Sequence, residues 1–526
     1  MNVQLLFASL AVGLLTTAAS AATCESLASL QLENTKITTA TPLSGTFTSA
    51  SGVAVQDLPA FCRVAGSIQP SNDSNIQFEV WMPASGWNGK FQGVGNGGYA
   101  GSLSYGVMGA PLKHGYAVAT TDTGHTGGDA SWALGHPEKM IDYGYRGIHE
   151  MTVKAKAIIT AFYGSGPKRS YFAGCSNGGR QALMEAQRYP GDYDGIMAGA
   201  PANDFTHVAA GFFWNELALL KDPASYIPAA KLKAIEKAAL AACDAQDGLA
   251  DGLINDPQSC HFDPSVMLCS GADSESCLTA PQVTALKKIY AGPKNAKGKP
   301  EYPGFVPGGE TGGGGWTLWI NGASPEKGLQ LFFATQMYRN MVVEKADWDY
   351  KMFDQEEDSK HIQAKLHGVL NATSPDLKAF ESHGGKLILY HGWCDAALTP
   401  LNTINYYNRV VAALGKKKAG ESVRLYMVPG MQHCAGGPGP NRFLATWTDP
   451  QHDMELALEK WVEEGVVPGP VIAVRNPDAS SPSQVVRTRP LCPYPQLAKY
   501  SGVGSIDDAA NFSCVAGSPK SRVSRP

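Results

Sequence analysis

The chain is 526 residues long, with 43 Lys+Arg against 47 Asp+Glu for a formal charge of −4, and its charged fraction of 17% falls below the roughly 25% of an average soluble domain. With 44% hydrophobic residues, 58 Gly and 34 Pro, it can bury a large core and turn often, which excludes a disordered chain, a collagen-like repeat and a coiled coil. No basic excess or Lys/Arg run points to nucleic acid, and the length suits one large domain with an insertion or two domains.

At the N-terminus, Leu5 to Ala22 is apolar or small and uncharged, and Ala19-Ser20-Ala21 suits a signal peptidase. Residues 1–21 therefore read as a cleaved secretory signal rather than an anchoring helix, because Gly, Thr and Ser crowd the second half. No later stretch is apolar for long enough to span a bilayer. The expected location is secreted (extracellular, or periplasmic in a bacterium), with no membrane contact after cleavage. In an oxidising compartment the 11 Cys read as disulfides with at least one thiol left over: Cys24, Cys62, Cys175, Cys243, Cys260, Cys269, Cys277, Cys394, Cys434, Cys492 and Cys514. Short spacings suggest Cys243–Cys260, Cys269–Cys277 and Cys492–Cys514 as local loops. The sequons at Asn72, Asn371 and Asn511 are too few to exceed chance and leave glycosylation open.

The elements then alternate. A β-rich opening runs to about Gly93, with Gln77 to Trp81 alternating as a half-buried strand. Phe91 to Val94 leads into the glycine-rich Gly95-Asn96-Gly97-Gly98, and Tyr116 to Thr120 is a further short apolar run. Glu150 to Phe162 reads as a helix, Ser170 to Ala173 as a strand, Gly178 to Arg188 as a helix stopped by Pro190, and Gly195 to Gly199 as a strand. Strand and helix alternating with short links implies an α/β chain with a parallel sheet covered on both faces.

Between the strand at Tyr171 and the helix at Gly178 lies Gly174-Cys175-Ser176-Asn177-Gly178, a G-x-S-x-G in the setting a nucleophile elbow requires. A serine on such a turn stands clear of the sheet, and the following helix N-terminus offers N–H groups to an oxyanion. The plainer reading, a buried turn serine, does not account for that placement.

After Ala202 the rhythm breaks. Residues 204–380 read as a lid inserted between two strands, with helices over 229–242 and 280–290 and the flexible Gly312–Gly315. That leaves 22–203 and 381–526 as the catalytic domain. Within the lid, Asp244, Asp247 and Asp251 stand close together among glycines. They can wrap oxygens around Ca²⁺ or form a solvated acidic turn; the spacing is not that of an EF-hand.

Strands resume at Lys386–Tyr390 and Val423–Val428, with helices over Leu401–Leu414 and Met454–Glu464. Asp395 falls just past the first of these strands and His433 just past the second. A hydrolase triad on this kind of sheet follows the chain order Ser, Asp, His, so Ser176 is expected to attack, His433 to act as base and then acid, and Asp395 to fix the imidazole tautomer. His391 and His125 are rivals, but both come before the acid.

Gly174 to Arg180, His391-Gly392-Trp393-Cys394-Asp395 and Gly430-Met431-Gln432-His433-Cys434 resemble the tannase and feruloyl esterase family. Trp87 to Phe91, Gly95 to Gly98 and Arg489 to Pro495 extend the likeness over nearly the whole mature chain. The resemblance implies an α/β-hydrolase fold with a large lid, cleaving esters of aromatic (phenolic) carboxylic acids, feruloyl type first, including esters carried on plant polysaccharide. Tannase activity on galloyl esters or activity on another aromatic acid is the alternative; a peptidase fits less well, and an inactive calcium-stabilised binding module would be of a different class. The same resemblance implies an oxyanion hole from the backbone N–H groups of Gly98 and Asn177, and a Cys175–Cys434 disulfide that leaves Cys394 as the odd thiol. Many members have another residue at the Cys394 position. It also implies a structural calcium ion held by Asp244, Asp247, Asp251 and the carbonyls of Leu249 and Leu253. Acyl recognition is expected from the lid aromatics Trp316, Trp319, Phe332 and Phe333, unless they are ordinary lid core.

Overall fold

The computed structural model of the chain describes residues 22–477 and 484–517. The expected leader over residues 1–21 lies outside them. Nine strands form one sheet: β1 (Thr35–Thr48), β2 (Ala54–Ile68), β3 (Ile76–Pro83), β4 (Lys90–Val94), β5 (Ala117–Thr121), β6 (Arg169–Cys175), β7 (Gly195–Gly199), β8 (Lys386–Gly392) and β9 (Val423–Val428). Their spatial order is β1-β2-β3-β5-β4-β6-β7-β8-β9. The first three strands and β5 pair antiparallel; every pair from β5-β4 onward is parallel. This mixed sheet, with helices on both faces, is the expected α/β fold.

Period-two alternation explains why both faces are covered. In β3 Val80 joins one hydrophobic layer and Trp81 the other; in β6 the pair is Phe172 and Tyr171; in β8 it is Leu389 against Ile388 and Tyr390. The helix Gly147–Tyr163 contributes Ile158 and Ile159 to the first layer, and Met454–Glu464 contributes Leu458 and Trp461 to the second. Each large aliphatic or aromatic side chain so buried contributes about 1.5–3 kcal/mol.

Between β7 and β8 the chain adds no strand to the sheet. Its helices include Phe205–Leu220, Ala229–Cys243, Ala280–Ala291, Leu329–Met337 and Glu357–Leu370, where the sequence pattern picks out only the second and third. Phe205–Leu220 escapes pattern reading because it is apolar on nearly every side and buried to match, so it carries little 3.6-residue periodicity. Phe205, Phe212 and Phe213 pack with Leu331, Met337 and Tyr338, and with Ala397 and Leu398 from the loop after β8. The insertion is thereby seated on the C-terminal ends of the parallel strands, where α/β sheets place their ligands.

Five disulfides link Cys24–Cys62, Cys175–Cys434, Cys243–Cys260, Cys269–Cys277 and Cys492–Cys514. Cys394 is the free thiol; its Sγ donates to the Gly308 carbonyl at 3.1 Å, and burial pushes its pKa well up, away from thiolate chemistry. Among the described residues no helix is long and apolar enough to cross a membrane.

Candidate active site

Ser176 stands alone between the end of β6 and the helix Asn177–Arg188, with φ 64° and ψ −121°. Positive φ is costly for a residue with a Cβ, so surrounding bonds must hold it. The Ser176 N–H donates to Gly199 O at 3.0 Å, and Ser176 O accepts from Arg180 at 3.0 Å and Ala202 at 3.1 Å. The flanking glycines are required by contact: a Cβ on Gly174 would sit 2.5 Å from the Gly178 carbonyl oxygen, and one on Gly179 would sit 2.3 Å from that of Gly199.

Past β8, Asp395 is 2% exposed and collects four donors. Oδ1 accepts the N–H groups of Ala397 and Leu398, both at 2.8 Å; Oδ2 accepts His433 Nδ1–H at 2.8 Å and His391 Nε2–H at 3.0 Å. Burial opposes the carboxylate's charge, but the two histidines beside it outweigh burial and hold its pKa well below the usual range. His391 also donates to Leu398 O and accepts from Thr403 Oγ1 at 2.8 Å. The two candidate histidines therefore share one carboxylate. Only His433 reaches the cavity that Ser176 lines; His391 is fully buried behind the acid. His125, the other rival, has Nε2 on the Tyr99 carbonyl and stacks on Trp132 at 3.9 Å, away from Asp395.

Gly98 and Asn177 border the same cavity. The Gly98 turn has φ 54° and is held by Tyr143 Oη, which donates to Gly98 O at 2.9 Å. Gln181 ties this loop to the serine helix: its Oε1 accepts Asn96 N–H at 3.1 Å and its Nε2 donates to Asn96 Oδ1 at 2.7 Å. Arg180, wholly buried, donates to Asn177 Oδ1 at 2.8 Å and to the carbonyls of Gly144, Tyr143 and Leu370. The sequence signals Arg180 only as part of a motif; its work is to bind the serine helix to the segment carrying Tyr143.

The walls of the cavity include Phe205, Phe212, Trp319, Phe333 and Met337. Of the four expected lid aromatics, Trp319 and Phe333 line it, stacked at 6.1 Å, with Trp319 edge-on to His433 at 5.1 Å. The other two do not: Trp316 is 2% exposed inside the insertion core, and Phe332 turns outward at 39%. Phe212, absent from the sequence reading, belongs to the helix whose pattern carried no signal. Gln432 enters the sequence only as part of the Gly430–Cys434 motif, which does not show its role. Beside His433, it accepts Gly314 N–H at 3.0 Å and donates to Thr311 O at 2.5 Å, pinning the glycine-rich loop to the segment that carries the histidine.

The acidic loop lies apart from this cavity. Asp244 accepts Asp251 N–H at 3.3 Å and Gly252 N–H at 2.9 Å, closing the loop on itself, and Asp247 accepts Leu249 N–H at 2.9 Å. Asp251 meets Arg489 at 2.6 Å and Arg487 at 3.6 Å. Burial pushes the Asp247 carboxyl up, and Asp251 and Asp244 add repulsion. The three carboxylates do not all lie within 4.8 Å of one another. An all-oxygen loop with two carboxylates unmatched by an ion pair among the described residues nevertheless fits a hard cation in kind.

The family model for tannase and feruloyl esterase matches residues 62–515. An uncharacterised esterase of Xanthomonas campestris pv. campestris is 44% identical over 95% of this chain and 92% of its own. Mono(2-hydroxyethyl) terephthalate hydrolase of Piscinibacter sakaiensis is 35% identical over 87% of this chain and 85% of its own. The crystal structure of feruloyl esterase B from Aspergillus oryzae superposes with a TM-score of 0.87 at 29% identity, covering 94% of this chain and 99% of that one.

Proposed function

The chain belongs to the tannase and feruloyl esterase family and is a carboxylic ester hydrolase, and we propose that it is a secreted serine esterase of the feruloyl type, cleaving aromatic acid esters through an acyl-enzyme. The observation that carries this reading is a serine on a strained elbow and a carboxylate-anchored histidine facing one apolar cavity. Ser176 Oγ attacks the ester carbon while His433 takes its proton at Nε2; Asp395 fixes Nδ1 as the donor and stabilises the imidazolium. The N–H groups of Gly98 and Asn177 receive the oxyanion. His433 then protonates the leaving alcohol, and water repeats the sequence to release the acid. The insertion acts as the lid that shields the acyl group. Hydrolysis of methyl ferulate, with loss of activity on phosphonate labelling, tests this reading; an enzyme inert to every aromatic ester contradicts it.

Cys175 and Cys434 flank the nucleophile and the base across 259 residues, with Cα atoms 5.9 Å apart. A covalent tie at that point fixes the separation of Ser176 and His433, and misplacement by about 1 Å costs on the order of 100-fold in rate. Replacing both cysteines by Ala is expected to lower kcat/KM by about that factor in the fraction that remains folded. Turnover measured alongside circular dichroism separates this from simple unfolding.

We further propose that Asp244, Asp247, Asp251 and the carbonyls of Leu249 and Leu253 hold a calcium ion. Its contribution is charge neutralisation that rigidifies the loop, with no part in chemistry. Calcium at 100 times its Kd would add about 2.7 kcal/mol to stability. Chelation and Asp247→Ala should each lower Tm while sparing turnover at low temperature. Protein purified without chelator that contains no calcium would contradict the assignment.

A further inference from the structure

On the reading that Ser176 attacks esters in this cavity, we infer that the enzyme selects aromatic acyl groups bearing at most one free ring hydroxyl, and rejects polyhydroxylated or carboxylated rings. The described lining residues include no Asp, Glu, Lys or Arg. The polar side chains that do line it are already engaged: Tyr99 Oη donates to Phe333 O, and Asn177 donates to Asn96 O and accepts from Arg180. Among the described lining residues, beyond Ser176 and His433, the Trp319 indole N–H is the side-chain donor group with no described partner. One free hydroxyl, as on a feruloyl ring whose second oxygen is capped as a methoxy group, can meet that donor or stay at the mouth. A second or third hydroxyl leaves water without a partner, and a carboxylate enters without a counter-charge. Each added ring hydroxyl therefore costs on the order of 10- to 100-fold in kcat/KM. The walls of Phe205, Phe212, Phe333 and Met337 favour the bare ring face.

The test compares kcat/KM of the full-length enzyme on methyl esters, so that the acyl ring is the group able to fill the cavity. Matched pairs are methyl ferulate with methyl caffeate, methyl benzoate with methyl gallate, and dimethyl with monomethyl terephthalate, each rate divided by that of hydroxide hydrolysis to remove ring electronics. Caffeate should fall at least about 10-fold below ferulate, and gallate and the monoester at least about 100-fold below their partners. Gallate or the monoester matching its partner would overturn the inference while leaving the esterase reading intact. Inertness toward all six esters would instead refute the esterase reading on aromatic acids, and the inference with it.

Discussion

Ser176→Ala should lower kcat by roughly four to six orders of magnitude while leaving the fold and its melting temperature near those of the parent. The alanine keeps the elbow backbone, and no described partner depends on the serine hydroxyl: the bonds that hold φ 64° run through the Ser176 N–H and carbonyl. The residual rate comes from the oxyanion donors and from binding. Because a triad acts as a unit, Ser176→Ala combined with His433→Ala should be no slower than Ser176→Ala alone, within about threefold. Single-turnover kinetics on a chromogenic aryl ester, with a melting curve for each variant, reads both quantities. A Ser176→Ala enzyme within 100-fold of the parent would be incompatible with nucleophilic attack by this residue.

The second large effect is expected at Asp395. Asp395→Asn preserves size but presents an amide where two histidines donate, and the analogous change in a serine protease triad costs about 10⁴ in kcat through the wrong tautomer. Here the loss should reach the same order. His391→Ala should cost much less, on the order of 10-fold, because His391 meets the carboxylate from behind and His433 keeps its own bond at 2.8 Å. The His391→Ala loss should lie mainly in kcat, since His391 does not itself line the cavity and meets its wall only through the backbone carbonyl of Leu398. Should His391→Ala exceed His433→Ala in damage, the base has been assigned to the wrong ring.

Much of this was legible in the sequence because the informative signals are local. The strands β6 to β9 are short apolar runs with turn residues at each end, and the candidate triad residues Ser176, Asp395 and His433 lie just past the ends of β6, β8 and β9. The order Ser176, Asp395, His433 then needs no tertiary knowledge. The walls of the cavity are different in kind. Phe212 sits on a helix apolar all round, and Phe333 reaches the site only through the packing of Leu329–Met337 against Phe205–Leu220, so sequence spacing could not separate it from its outward neighbour Phe332. His391 illustrates a third limit. By order along the chain it is a competitor of His433, whereas the geometry makes both rings donors to Asp395 Oδ2, a relation no spacing rule encodes.

The central claim is that Ser176 carries the acyl group. It is tested most directly by trapping the adduct: brief reaction of the intact enzyme with an aryl phosphonate, then peptide mass spectrometry. The predicted result is one adduct per chain, on the peptide containing Ser176, appearing in step with loss of esterase activity and absent from Ser176→Ala. Full inactivation with Ser176 unmodified, or with the adduct on another serine, would contradict it.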